Sequence, residues 1–220
     1  MMNRFFVVLL FFALAPVTAA KKVEGYKVES IGALSDTKVP EAVRNALDSK
    51  GLRVLDDKGK PVCEIWFGKT IPTTKGEVAG ANFAQIAEGT FVGVIKFSSD
   101  AIDYRGQGIK PGIYTLRYGL IMQDGNHLGV SPARDFLLAC PATEDKDPAA
   151  QLKTEDLFKI SRAASGTGHP SVWCLVQVSS NEGLPKVVKN EHEHIVVETK
   201  IPTRSGDLAI GLIVVGKTEG

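Results

Sequence analysis

KPGIYTLRYGLIM, residues 110–122, opens on a turn and then alternates. Proline presets φ and glycine accepts a positive φ, so Lys110-Pro111-Gly112 reads as a turn. Beyond it, Tyr114, Leu116, Tyr118, Leu120 and Met122 fall on one side, with Thr115, Arg117 and Gly119 on the other. A period of two is that of a β-strand, with the Tyr/Leu row on a core and Thr115 and Arg117 facing outward. A run of this length belongs in the middle of a sheet. Asp124-Gly125 turns the chain again, and residues 134–140 form a second strand with Phe136, Leu138 and Cys140 on one face.

Outward from this pair, strands are expected at residues 26–31, 52–55, 61–67, 90–97, 171–178, 186–188, 194–201 and 208–215. The polar turn DDKGK, residues 56–60, makes a hairpin of the second and third. Helices are expected at residues 37–51, with Gly51 as its C-terminal cap, and at 154–166, with Thr154 as N-cap and Gly166 as its stop. Residues 70–89 are long for a plain connection, and Phe83 and Ile86 pin them to the body. Strands at hairpin spacing, interrupted by helices only twice, favour a mainly β fold over a parallel α/β sheet. The expectation is an antiparallel β-sandwich of about nine or ten strands with two inserted helices.

The first twenty residues, MMNRFFVVLLFFALAPVTAA, place one Arg before an apolar run and end on small residues. That order is the order of a secretory leader, and the run is short for a transmembrane helix. The reading is export to a periplasmic or extracellular compartment, with cleavage after Ala19 or Ala20 and no membrane insertion afterwards. Residues 21–220 then form a single domain, long enough to bury a sizeable core.

The chain has 26 Lys and Arg against 25 Asp and Glu, and the leader holds one of the bases, Arg4. What remains is balanced, and no basic run is interleaved with aromatics, so nucleic acid is not an expected partner. Cys63, Cys140 and Cys174 all sit in apolar, strand-like contexts. In an oxidising compartment two of them could pair, and Cys140 with Cys174 is the favoured pair, leaving Cys63 a buried thiol. The sequence contains no C-x-x-C.

Candidate chemistry is sparse. Residues two apart on a strand share a face, so His192 and His194 could meet one zinc or copper ion if a third ligand, His127, His169 or a carboxylate, joined them. Without a third ligand, their alternation with Glu191 and Glu193 reads as an exposed strand start. Asp124, His127 and Ser131 invite a hydrolase reading centred on residues 124–134, but Pro132 removes a backbone N–H that an oxyanion would use. Turn chemistry accounts for the same residues, Asp124 and Asn126 shaping the loop with His127 at its tip. Asp100 and Asp103 could act as an acid–base pair, although nothing places a substrate between them. Glu144, Asp145 and Asp147 lack the spacing of a calcium loop, and Gly106-Gln107-Gly108 opens no helix for a phosphate. Arg105, Arg117 and Arg134 bracket the central strand and could bind a ligand, as could Asp124, Asn126 and His127; a salt-bridged outer sheet face competes with that for the arginines.

Residues 111–117, Pro-Gly-Ile-Tyr-Thr-Leu-Arg, resemble the hairpin of transthyretin-like and carboxypeptidase-regulatory-like modules. Together with QDGNHLGVSPARDFLL, residues 123–138, the chain resembles a family of exported bacterial β-sandwich proteins with no assigned activity. The resemblance implies the sandwich fold and carries over no catalytic or binding residue. The function expected is therefore that of an exported, non-enzymatic protein that binds a partner protein, a glycan or an envelope component. The alternatives are a metal-binding protein using His192 and His194, and a hydrolase.

Overall fold

The computed structural model describes residues 21–22, 25–122, 131 and 133–218. The leader and the loop bearing Asp124, Asn126 and His127 lie outside the described residues. Among those described are thirteen strands and two helices. In chain order these are β1 (Lys21–Lys22), β2 (Lys27–Ile31), α1 (Glu41–Ala46), β3 (Gly51–Leu55), β4 (Pro61–Phe67), β5 (Phe91–Phe97), β6 (Ala101–Ile102) and β7 (Gly108–Ile109). There follow β8 (Gly112–Leu120), β9 (Asp135–Pro141), α2 (Thr154–Ser165), β10 (Ser171–Val176), β11 (Lys186–Lys189), β12 (Ile195–Thr203) and β13 (Gly206–Val215).

Strands β6 and β7 pair only with each other, and the other eleven form one antiparallel sheet in the order β1-β11-β12-β13-β10-β9-β8-β5-β4-β3-β2. The alternating stretch that begins at Gly112 is central, hydrogen-bonded to β5 on one side and β9 on the other. Strand β10 is the corner. Ser171–Cys174 pair with β9, whereas Leu175 and Val176 pair with β13. The sheet bends there, and β2 and β11 near its two ends come into contact, giving a nearly closed barrel. The mainly β, antiparallel class with two helices is as expected. The arrangement is not clearly a sandwich, because a strand shared between two ladders joins what would have been separate layers.

The barrel interior is the main core. Tyr114, Leu116, Tyr118 and Leu120 point into it, and Phe97 stacks on Trp173 with ring centroids 5.0 Å apart. Residues 70–89 supply Ile71, Phe83 and Ile86 to the same core. The backbone N–H groups of Asn82 and Phe83 donate to the Asp135 carboxylate at 2.8 and 3.0 Å, and the Tyr118 hydroxyl donates to it at 2.5 Å. This long connection is a docked strap, as its two apolar anchors imply.

Both helices lie on the outer face, Val43 of α1 against Trp66 and Val94, and Leu157 of α2 against Leu138 and Cys140. Helix α1 is shorter than expected because Leu47 leaves it to bridge Gly68. Gly51 is no cap. It starts β3 beneath the Trp66 indole, which would collide with any side chain there and donates its N–H to the Gly32 carbonyl at 2.8 Å. Helix α2 begins at Thr154 with Lys153 in the cap position and no side-chain cap bond, while Gly166 ends it with a φ of 66° as expected. All three cysteines are free and buried. Cys140 and Cys174 sit on neighbouring strands, but Cys174 lies opposite Phe136, four positions along β9 from Cys140. At about 3.4 Å per residue the gap is far beyond the reach of a disulfide.

Candidate functional site

Helix α2 crosses the outer face of β9 and covers Leu138 and Cys140, and where its cover ends a groove of about 440 Å³ opens. Phe136 of β9 with Val172 and Cys174 of β10 form its floor, all on the outward-facing alternation of their strands. Phe158 and Arg162 of α2 form one wall; four residues apart on a helix, they share a face. Tyr104 and Arg105 stand on the opposite side, and the turn carrying His169 closes one end. The volume is that of a small-molecule site.

Local chemistry explains the shape. The hypothetical Cβ of a side chain at position 119 would lie 2.8 Å from the Phe136 ring, so glycine there lets the ring lie down on β8. The turn bearing Arg105 is held by Asp103, which is wholly buried. Its carboxylate accepts from the N–H of Arg105 at 3.0 Å, of Gln107 at 2.8 Å and of Val172 at 3.1 Å, and from the Gln107 side chain at 2.8 Å. Burial pushes the Asp103 carboxyl above its ordinary range, and the four donors pull it only part of the way back. One carboxylate thus fixes the Arg105 turn to the groove floor. With every acceptor position used, it is not poised as an acid or base with Asp100, which lies exposed beside Lys110.

The sequence candidates scatter. Arg105 is exposed on the groove rim and makes no hydrogen bond or ion pair through its side chain among the described residues. Arg117 faces outward from β8 as expected, yet residues 142–153 bury it completely. Its guanidinium donates to both oxygens of Asp145 at 2.6 and 2.7 Å and to the carbonyls of Gly89, Ala150 and Asp147 at 2.8, 2.7 and 2.7 Å. All five donors of an arginine are then committed. Asp145 also accepts from the Thr115 hydroxyl at 2.5 Å. Arg134 donates to the Ile121 carbonyl at 3.1 and 2.9 Å and to the carbonyl of Ala79, tying the strap to the end of β8. Asp124, Asn126 and His127 lie outside the described residues, and Ser131 has its hydroxyl 3.0 Å from the Cys174 sulfur. Desolvation pushes that thiol up to about 11, the Ser131 bond lowering it only in part.

His192 and His194 are not the start of a strand. They sit in a turn whose Glu193 has a φ of 63°, with ring centroids 5.7 Å apart. The His194 ring is buried, its Nε2 3.1 Å from the Lys217 carbonyl. A carbonyl only accepts, so Nε2 donates and Nδ1 faces the Asn190 amide nitrogen at 3.3 Å as acceptor. Metal binding through His194 would break one of these bonds. No group of three or more His, Cys, Asp or Glu side chains that could hold a metal ion is found among the described residues.

Phe136, Phe158 and Arg162 were not read as site residues from the sequence, and His169 was considered only as a third metal ligand, whereas it lines the groove. A signal was there in α2: Phe158 and Arg162 stand off the stripe of Leu157, Ile160 and Ala164, which marks a second face with its own occupation. Comparison with known proteins gives no family whose model matches the chain, no similar curated protein and no similar solved structure. No helix among the described residues is long and apolar enough to cross a membrane.

Proposed function

We propose that this chain is an exported, non-catalytic binding protein whose groove between α2 and the β9–β10 face holds a component of the cell envelope. One observation carries the reading: the contrast between its buried and its exposed charges. Asp103, Arg117, Asp135, Asp145 and Glu198 are buried, and each has hydrogen-bond partners that hold loops to the barrel. The groove combines an apolar floor with Arg105 and Arg162, neither engaged through its side chain among the described residues. Catalysis asks for an acid, base or nucleophile free to meet a substrate. Asp103 is fully bonded, Cys174 stays a thiol at neutral pH, and the His169 ring has no carboxylate or nucleophile bonded to it among the described residues, which favours binding over chemistry.

The test is uptake of a neutral, environment-sensitive apolar dye such as Nile red. The wild-type chain should take it up with a blue-shifted emission, and Val172→Trp, which fills the floor, should abolish the signal without lowering the melting temperature. Uptake that survives the substitution, or no uptake at all, removes the groove as the binding site. Export rests on the leader, and mass spectrometry of the native protein should find a chain that starts at Ala20 or Lys21.

A further inference from the structure

Resting on the binding reading above, we propose that the groove selects an amphiphilic oxyanion: an apolar chain on the Phe136 floor and against the Phe158 wall, with its head between Arg105 and Arg162. Charge complementarity commits it to this occupant. Among the described residues that line the groove there are two arginines and one histidine, His169, and no aspartate or glutamate. Among the described residues the carboxylate nearest Arg105 in sequence, Asp103, is wholly buried and bonded to backbone N–H groups and Gln107, so it makes no ion pair with the Arg105 guanidinium.

The contrast with other arginines of the chain sharpens this. Arg53 is paired with Glu64 at 2.6 Å, Arg117 with Asp145, and Arg134 with two carbonyls. Arg105 and Arg162 are exposed at an apolar cleft, and neither guanidinium has a hydrogen-bond or ion-pair partner among the described residues. A guanidinium binds a carboxylate or phosphate through two parallel N–H bonds, and a low-polarity floor beside it strengthens the bond when water leaves. A neutral alcohol would use the floor and leave the arginines unused. A cationic head would be repelled. A sugar would find few polar partners against Phe136, Phe158 and Val172, and two arginines are too few for a nucleic-acid track.

The experiment is displacement of the bound dye by ten-carbon probes that differ only in the head: decanoate, decyl phosphate, decanol and decyltrimethylammonium. Decanoate or decyl phosphate should compete at roughly tenfold lower concentration than decanol, the gain expected of charge-assisted hydrogen bonds, and decyltrimethylammonium should be weakest. Arg105→Gln and Arg162→Gln, which remove the charge and keep a long polar side chain, should each reduce the ratio of anion to decanol competition, and together remove the anion's advantage, while the melting temperature holds. Equal competition by decanol and the anions overturns the proposal while leaving the binding reading intact, as does an anion preference that survives both substitutions. A short acidic peptide without an apolar chain that competes as well as decanoate also overturns it. Failure of the dye and every probe to bind would instead remove the binding reading itself.

Discussion

Arg117 and Arg162 carry the same guanidinium into opposite surroundings. The first lies under residues 142–153 with all five donors on Asp145 and three backbone carbonyls, and water does not reach it. The second stands at the edge of the groove on α2, exposed and without a side-chain partner among the described residues. A buried cation is tolerated only where every donor is matched, so the Arg117 region has no capacity left for a ligand. An exposed cation beside apolar surface keeps that capacity. On this chain, then, charge inside marks scaffold, and on the proposed reading charge at the groove marks recognition.

The largest effect should come from breaking the scaffold side. Arg117→Ala leaves Asp145 buried without its counter-charge and should cost about 3–5 kcal/mol in urea denaturation. Arg162→Ala should fall within about 0.5 kcal/mol of wild type. If the two variants cost the same, the distinction between the regions is lost. Adding Asp145→Ala to Arg117→Ala should recover part of the loss, because the stranded carboxylate goes with it.

A smaller effect separates shape from charge. Gly119→Ala places a methyl against the Phe136 ring and should cost about 1–3 kcal/mol, as overpacking does. It should also lift the ring into the groove and weaken dye binding, while Arg117 stays in place. Unchanged dye binding would show that the ring is not part of the floor.

The smallest effect concerns protons. Burial raises the thiols of Cys63, Cys140 and Cys174 and the phenols of Tyr114 and Tyr118. For each, the folded chain holds its proton to higher pH than the unfolded chain. Their contribution to stability is therefore complete below the unfolded values and falls as pH climbs through the window above them, for Cys174 up to about 11. Alkylation should find Cys174 first, since it is raised least and alone of the three lines the groove, and its rate should grow with pH through that window. A groove ligand should slow it. Labelling of Cys63 or Cys140 ahead of Cys174 would contradict the placement.

The alternation of residues 113–122 was enough to find β8, its central position and the side on which Arg117 emerges. The turn at 56–60 likewise joins β3 to β4 where expected, because turn chemistry is local. At 110–112 the expected turn is only a bend at Pro111, and Gly112 already belongs to β8 without a positive φ. What could not be read was what covers the outer face. Residues 142–153 look like a polar linker, and their acidic and carbonyl groups become a cage only once folding brings Arg117 beneath them. Gly51 has the spacing of a helix cap, but a Trp66 indole fifteen positions away decides its use. His192-Glu193-His194 alternates like a strand, yet Asn190 accepts two backbone N–H bonds and bends it into a turn. The groove escaped notice for the same reason: its walls come from β9, β10, α2 and the 104–105 turn, and no short window of sequence contains them together.

The corner at β10 has a consequence for how the chain must be made. Every contact that completes the barrel beyond β9 is supplied by residues after 170, and β10, β12 and β13 contribute Trp173, Val197, Ile201, Ile210 and Leu212 to the interior. A nascent chain ending before them would carry β9 as a bare edge and the inner face of β8 uncovered. Unpaired edges and exposed apolar faces are what drive chains to associate with one another. Loss of the last twenty residues would remove all of β13 and the end of β12, strand β10 would have nothing to turn toward, and the truncated product should be found in the insoluble fraction.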